Sequence, residues 1–327
     1  MLVMSKIWFL RLHRWLTLLF SIPLAVIIVT GLILSFEPIA IGTAKAPVTA
    51  DAMAAILAKH DPGGKARSLV VRAYAGTVSI SGPQRGETVH VDLATNEKAA
   101  SPGTLPNLFT TARQFHERLL FDWDWLVTVS TFAMLVLFTL GVLMGWPRLR
   151  NTMAGWHKGT GWILLPLLAL SPVTGLFLAF SVTFSLPLPR PAASLAPVNL
   201  AQAAAIVSEK FDLSQVTWIR PLGEALAARI NDNGEMRVFA VTRAGLLPAN
   251  RNWPRLLHEG NWSTYLAPGI NVVISAALVL LFGTGIWMWS RRKLRPRLAR
   301  EHSQTVGSIE NTSPGARIAN SASVPSR

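Results

Sequence analysis

The sequence predicts an α-helical membrane protein: a four-helix transmembrane bundle made by tandem duplication, with two small α+β modules outside the membrane. Three observations predict it. Four long apolar segments carry no charge, one set of motifs occurs twice, and positive charge collects in the short pieces that join or end the segments. His13 is followed seventeen residues later by Thr30-Gly31-Leu32, and His157 at the same distance by Thr174-Gly175-Leu176. His116-Glu117 precedes an apolar run carrying Gly141, and His258-Glu259 precedes another carrying Gly283. The copies are offset by 144 residues for the first pair of histidines and 142 for the second.

The apolar segments are residues 15–36, 125–146, 161–186 and 265–290. A helix rises about 1.5 Å per residue and needs roughly 20 apolar residues to cross a hydrocarbon layer, so each is long enough. The first has 22 residues and a counterpart inside the chain. It therefore reads as a span, since the apolar core of a cleaved signal peptide has roughly 7 to 15 residues. In order, the chain divides into residues 1–37 (N-terminus and first span), 38–112 (first outer module), 113–147 (second span), 148–158 (connector), 159–186 (third span), 187–255 (second outer module), 256–290 (fourth span) and 291–327. That last piece, basic and rich in Ser, Asn and Pro, is expected to be disordered beyond Glu301.

Charge predicts the orientation. Residues 1–14, residues 147–158 and the tail carry +3, +3 and +6 of the net +14. Short basic loops stay in the cytoplasm, so both termini are expected inside a bacterial inner membrane and both long modules in the periplasm. The basic balance thus reports contact with lipid and topology, and implies no nucleic-acid partner. Zero cysteines suit an exported domain without disulfides, and exclude thiolate metal sites and c-type haem attachment. Trp123, Trp125, Trp146, Trp162, Trp262, Trp287 and Trp289 stand at segment ends, as interfacial anchors do.

The two modules read alike. Each opens with Ala-Pro-Val, at residues 46–48 and 196–198, and continues into an alanine-rich amphipathic helix, residues 50–59 and 200–210. Alternating runs at 68–73, 77–81 and 88–93 read as strands, as do 215–220, 225–231 and 236–242, where Asn233-Gly234 marks a hairpin turn. At about 60 residues each, the modules are expected to pack on each other or on the membrane surface. His60, His90 and His302 have no counterpart in the other copy and read as structural.

Topology pairs the remaining histidines. His13 and His157 fall at the cytoplasmic ends of the first and third spans, and His116 and His258 at the periplasmic ends of the second and fourth. Two neutral imidazoles on facing helices are what a six-coordinate b-type haem requires, so the pattern predicts two haem b groups with these four residues as iron ligands. Gly31 and Gly175 by the outer pair, and Gly141, Gly145, Gly283 and Gly285 by the inner pair, would admit a flat macrocycle or serve close helix packing. Arg14, Lys158, Arg150, Arg113 and Arg118 stand near enough to pair with propionates. Glu117 and Glu259 leave open a zinc or iron site of two His and two Glu.

Leu12-His13-Arg14-Trp15, the Thr-Gly-Leu repeats, Phe115-His116-Glu117, Gly155-Trp156-His157-Lys158 and Leu257-His258-Glu259-Gly260 together resemble the PepSY-associated transmembrane family, over residues 8 to about 295. The resemblance implies PepSY-like outer modules and haem binding at His13, His116, His157 and His258. The family includes iron-regulated inner-membrane proteins and ferric-siderophore reductases with two b-type haems.

The expectation is then an inner-membrane electron conduit, an oxidoreductase that takes electrons from quinol or a protein donor. Its acceptor, by the resemblance, is a periplasmic ferric siderophore. No Gly-x-Gly-x-x-Gly fingerprint for a flavin or nicotinamide occurs. Trp123, Trp218, Trp253 and Trp262 are the aromatics expected on the docking side. The competing expectation is a haem-free, membrane-anchored binding or regulatory protein that works through its PepSY-like modules.

Overall fold

The computed structural model describes residues 2–43, 47–84, 86–119, 122–186 and 198–310. Helices α1 (Leu2–Leu19) and α2 (Ser21–Leu34) meet at Phe20, and α3 (Glu37–Gly42) extends the run. Next come α4 (Ala50–His60), β1 (Ser68–Arg72), β2 (Thr77–Ser81), β3 (Thr88–Asp92) and β4 (Lys98–Ala99). The chain returns through α5 (Thr104–Arg118), α6 (Asp124–Leu143), α7 (Met153–Ile163) and α8 (Leu165–Ala179). The second half adds α9 (Leu200–Ser208), β5 (Val216–Leu222), β6 (Ala225–Asp232), β7 (Glu235–Thr242), β8 (Gly245–Pro248), α10 (Trp253–Glu259) and α11 (Leu266–Glu310).

Among the described residues three helical stretches are long and apolar enough to cross a membrane: Ser21–Gly42, Asp124–Leu143 and Leu266–Lys293. A fourth crossing is made only if α7 and α8 are taken as one span bent by 66°. Proline explains that bend. Pro166 lies in the first turn of α8, where it has no N–H to carry the α7 ladder across Leu164. Leu24 and Ile28 from α2, Met134 and Leu137 from α6, Leu168 from α8, and Ile274, Ala277 and Leu278 from α11 form one apolar core.

The two modules, expected to pack on each other or on the membrane surface, go further and share one sheet. The strands join into one antiparallel sheet in the order β4-β3-β2-β1-β5-β6-β7-β8, with β1 and β5 pairing across the seam through Leu69–Ile219 and Val70–Trp218. The reason is an edge: each half alone would leave β1 or β5 unpaired, and pairing the two removes both exposed edges. One face of the sheet is covered by α4 and α9, whose Met53, Ile56, Ala203 and Val207 pack on Leu69, Val78, Ile219 and Ile230. Thr49 caps α4, Asn199 and Gln202 close a capping box on α9, and Asn233-Gly234 makes the β6–β7 hairpin with both residues at positive φ.

Two other expectations change. His116 and His258 lie on α5 and α10, short helices set apart from the spans that follow. Leu119 and Asp122 at positive φ end the first, and the left-handed Gly260 ends the second. α11 runs past Glu301 to Glu310, over the first part of the stretch expected to be disordered. His302 falls in that extension, and the tail beyond it lies outside the described residues, as do residues 46, 196 and 197 of the Ala-Pro-Val openings.

Candidate functional site

The site starts from two short helices leaning on two spans. α5 packs on α2 and α10 packs on α8. His116 Nδ1 lies 3.0 Å from the carbonyl of Ile27 and 3.2 Å from Thr30 Oγ1. The Thr30 hydroxyl donates its own proton to the Val26 carbonyl, so it can only accept from the ring. The second half repeats this with other residues. His258 Nδ1 lies 3.1 Å from both the Ser171 carbonyl and Thr174 Oγ1, and Thr174 donates to Leu170. Each ring therefore carries its proton on Nδ1 and keeps the Nε2 lone pair free. The two rings stand with centroids 6.0 Å apart and planes inclined by 48°.

Glycine makes room for both. A Cβ at Gly31 would meet His116 Cε1 at 3.2 Å, and one at Gly175 would meet His258 Cε1 at 3.1 Å. The Thr-Gly pairs seen in the sequence thus serve the ring directly: threonine accepts from it and glycine lets it approach. Burial, with His258 nearby, pushes the His116 imidazole down to about 4, and burial also lowers His258, which keeps both neutral near pH 7.

Charged residues brace the pair. Glu37 on α3 accepts from Arg113 on α5, which also faces Glu117 at 3.7 Å. Glu259 on α10 accepts from Arg229 on β6, from Arg255 at 3.0 Å and from Asn261 at 2.7 Å. Burial alone would raise Glu259, but Arg229, Arg255 and Arg113 hold it down at about 2. These contacts overturn the idea of a site of two His and two Glu, because both glutamates are already bound to arginine. Among the described residues no group of three or more His, Asp or Glu converges as a metal site.

At the other end, the His13 ring on α1 meets the carbonyl of Leu137 on α6, and the His157 ring on α7 meets that of Leu281 on α11. His13 and His157 are close enough to interact electrostatically. His13 Nδ1 is buried with no hydrogen-bond partner among the described residues. Leu137 and Leu281 are related by the 144-residue offset, which makes Gly285, not Gly283, the counterpart of Gly141.

A cavity of about 1400 Å³ lies between the sheet face left open by α4 and α9 and the helices beneath, and His116 and His258 line it. Val70, Trp218, Arg229 and Val238 form a row across β1, β5, β6 and β7 on that face, and all four line the cavity. Of the aromatics expected to dock a partner, Trp218 alone lines it, whereas Trp123 and Trp253 are exposed and Trp262 bridges to Glu235. His60 reaches the Asn96 carbonyl and His90 pairs with Ser79, as structural histidines would. Sequence reasoning missed Arg72, Arg220 and Arg229. The signal was there for two of them, since Val71-Arg72 and Ile219-Arg220 each set an arginine directly after a buried apolar residue of an alternating run.

A family model described as the PepSY-associated TM region matches residues 10–292. The chain belongs to that family. No curated protein matches it. Membership covers both histidine pairs and the whole sheet, so the family's region includes every residue of the site described above.

Proposed function

We propose that the chain is a bacterial inner-membrane electron-transfer protein that binds two b-type haems and reduces an acceptor on the periplasmic side. The observation that carries this reading is the 6.0 Å separation of the His116 and His258 rings with Nδ1 of each tied down. A six-coordinate b-type haem would be held by this pair through the free Nε2 lone pairs of His116 and His258. The donor set fits the group. Ile27 and Ser171 accept from Nδ1 and so fix the tautomer that would leave Nε2 for a metal, as the carbonyl partners of ligating histidines do. The orphaned Nδ1 of His13, beside His157, is the matching feature for an inner pair.

Bound haem would supply one-electron transfer between a quinol or protein donor and a ferric chelate such as a siderophore. The protein's own part is to hold neutral imidazoles, exclude water with the Leu24–Leu278 core, and keep Arg113 and Arg229 near the outer pair. Pyridine haemochrome analysis of the purified protein tests this, with about two haems per chain expected. The basic termini support a cytoplasmic placement. A reporter active only in the periplasm should be silent when fused after Arg300 and active when inserted at Gly82.

A second reading asks for less. The family match and the sheet over its cavity suffice for a haem-free membrane-anchored protein that binds a periplasmic partner, and the lack of a three-ligand metal cluster among the described residues accords with it. Colourless protein from cells supplied with haem would establish that reading in place of the first.

A further inference from the structure

Two arginines on the open face of the sheet make no salt bridge among the described residues, although the field of Glu37 reaches the first of them. Arg72 ends β1 and donates to Ser79 Oγ at 2.7 Å, and Arg220 on β5 stacks on Trp218 with its guanidinium carbon 4.4 Å from the ring centroid. Both line the cavity. Arg72 follows Val70-Val71 at the end of β1, and Arg220 follows Trp218-Ile219 two residues before the end of β5. The seam register sets their spacing. Val70 pairs with Trp218, so Arg220 stands level with Ser68, and Arg72 lies four residues further along the same face. At about 3.3 Å per residue the two Cα atoms are roughly 13 Å apart, with Trp218 and Val70 midway.

The carboxylates of the cavity are largely engaged elsewhere: Glu37 acts on Arg72 through its field without an ion pair, and Glu117 faces Arg113. Glu37 is taken by Arg113, and Glu259 by Arg229 and Arg255. Asp124, in the first turn of α6, accepts from Trp125 N at 2.9 Å, and Glu224 has a partner of its own. Burial and the nearby Arg255 and Arg229 push the Arg220 guanidinium down, which is the strain that a bound anion relieves.

We propose that this face binds a soluble anion bearing two or more separated carboxylates, gripped at its ends by Arg72 and Arg220 and seated on Trp218. A guanidinium presents a planar fork of donors that matches a carboxylate in bidentate fashion, and an aromatic face between two forks takes the carbon skeleton. The site lies in the same cavity as His116 and His258, so a ferric polycarboxylate held here stands next to the outer histidine pair. The identity of the acceptor as a ferric species rests on the electron-transfer reading, whereas the binding of the anion does not.

Isothermal titration of the full chain in discs of zwitterionic lipid, with citrate and with gallium(III) citrate as a redox-inert stand-in, tests the proposal. Saturable binding is expected for both. Arg72→Gln and Arg220→Gln should each weaken it by about tenfold, the usual loss for one charge-assisted bidentate contact. Arg220→Lys should fall between, and Lys65→Gln, on the exposed α4–β1 turn, should bind like the wild type. No saturable binding, or affinities unmoved by both glutamine variants, would overturn the site. So would citrate binding that disappears in discs containing phosphatidylglycerol, since that outcome assigns the arginines to lipid phosphate. Haem content measured on the same samples separates the two ideas: binding by colourless protein keeps this site and removes the electron-transfer reading, and haem without binding does the reverse.

Discussion

His116 and His258 are 142 residues apart in the chain, yet their rings stand 6.0 Å apart, each anchored through Nδ1 to a different helix of the bundle. Neither lies on a long spanning helix. A short helix delivers each, so the gap between the rings is set by how α5 and α10 dock on α2 and α8.

If both rings serve one site, His116→Ala and His258→Ala should abolish the same low-spin signal in reduced-minus-oxidised spectra. His13→Ala and His157→Ala should remove the other. Four variants with unchanged spectra would show that these residues ligate nothing.

Crowding the ring should act at a distance from the metal. Gly31→Ala sets a methyl 3.2 Å from His116 Cε1, and Gly175→Ala sets one 3.1 Å from His258 Cε1 and 3.8 Å from Thr131 Cγ2. Overpacking of this kind costs about 1–3 kcal/mol. Each variant should melt earlier and perturb the outer spectrum only. Gly141→Ala, whose methyl meets nothing within 4 Å, should melt no earlier than the wild type.

Glu259→Gln removes the carboxylate from a largely buried pair, with side chains 15% exposed for Arg229 and 16% for Glu259. Leaving Arg229 without its counter-charge should cost about 3 kcal/mol, read as a lower thermal midpoint in detergent. Glu97→Gln breaks an exposed pair with Lys59 and should leave the midpoint unchanged. Equal loss in both variants would mean that burial is not what makes the first pair matter.

Asp212 joins the two halves of the outer domain. Its Oδ1 accepts from Val48 N at 3.1 Å and from Ser214 N at 2.7 Å. Burial would raise its carboxyl, but these bonds win and hold it below the ordinary value. A carboxylate depressed in the folded state contributes stability above its unfolded value of about 3.9, and that contribution is lost as pH falls through the folded value. Denaturant midpoints measured from pH 5 down to pH 2 should therefore fall less steeply for Asp212→Asn than for the wild type. Asp212→Ala should cost about 1 kcal/mol at neutral pH, as the loss of a cap does.

Much of the outer domain was legible residue by residue. The alternating runs at 68–73, 77–81 and 88–93 match β1, β2 and β3 to within a residue, and Asn233-Gly234 turns where its chemistry requires. The short strands β4 and β8 were missed, since two and four residues are too few for a period to register. α5 was missed for a different reason. Its buried face is narrow, only Pro106, Phe109 and Ala112, and its end is set by the turn at Leu119 and not by a glycine or proline.

By itself the sequence determined what depends on neighbours along the chain: apolar length enough to cross a membrane, the strand period, the caps, and four histidines at repeated positions. Only the tertiary structure decided which groups meet. That β1 pairs with β5 to make one sheet, that Arg72 and Arg220 share its open face, and that His116 and His258 approach each other all rest on contacts between residues more than eighty positions apart. Local periodicity carries no register between such segments. It is the pairing of two sheet edges and the docking of α5 and α10 on their spans that supply it.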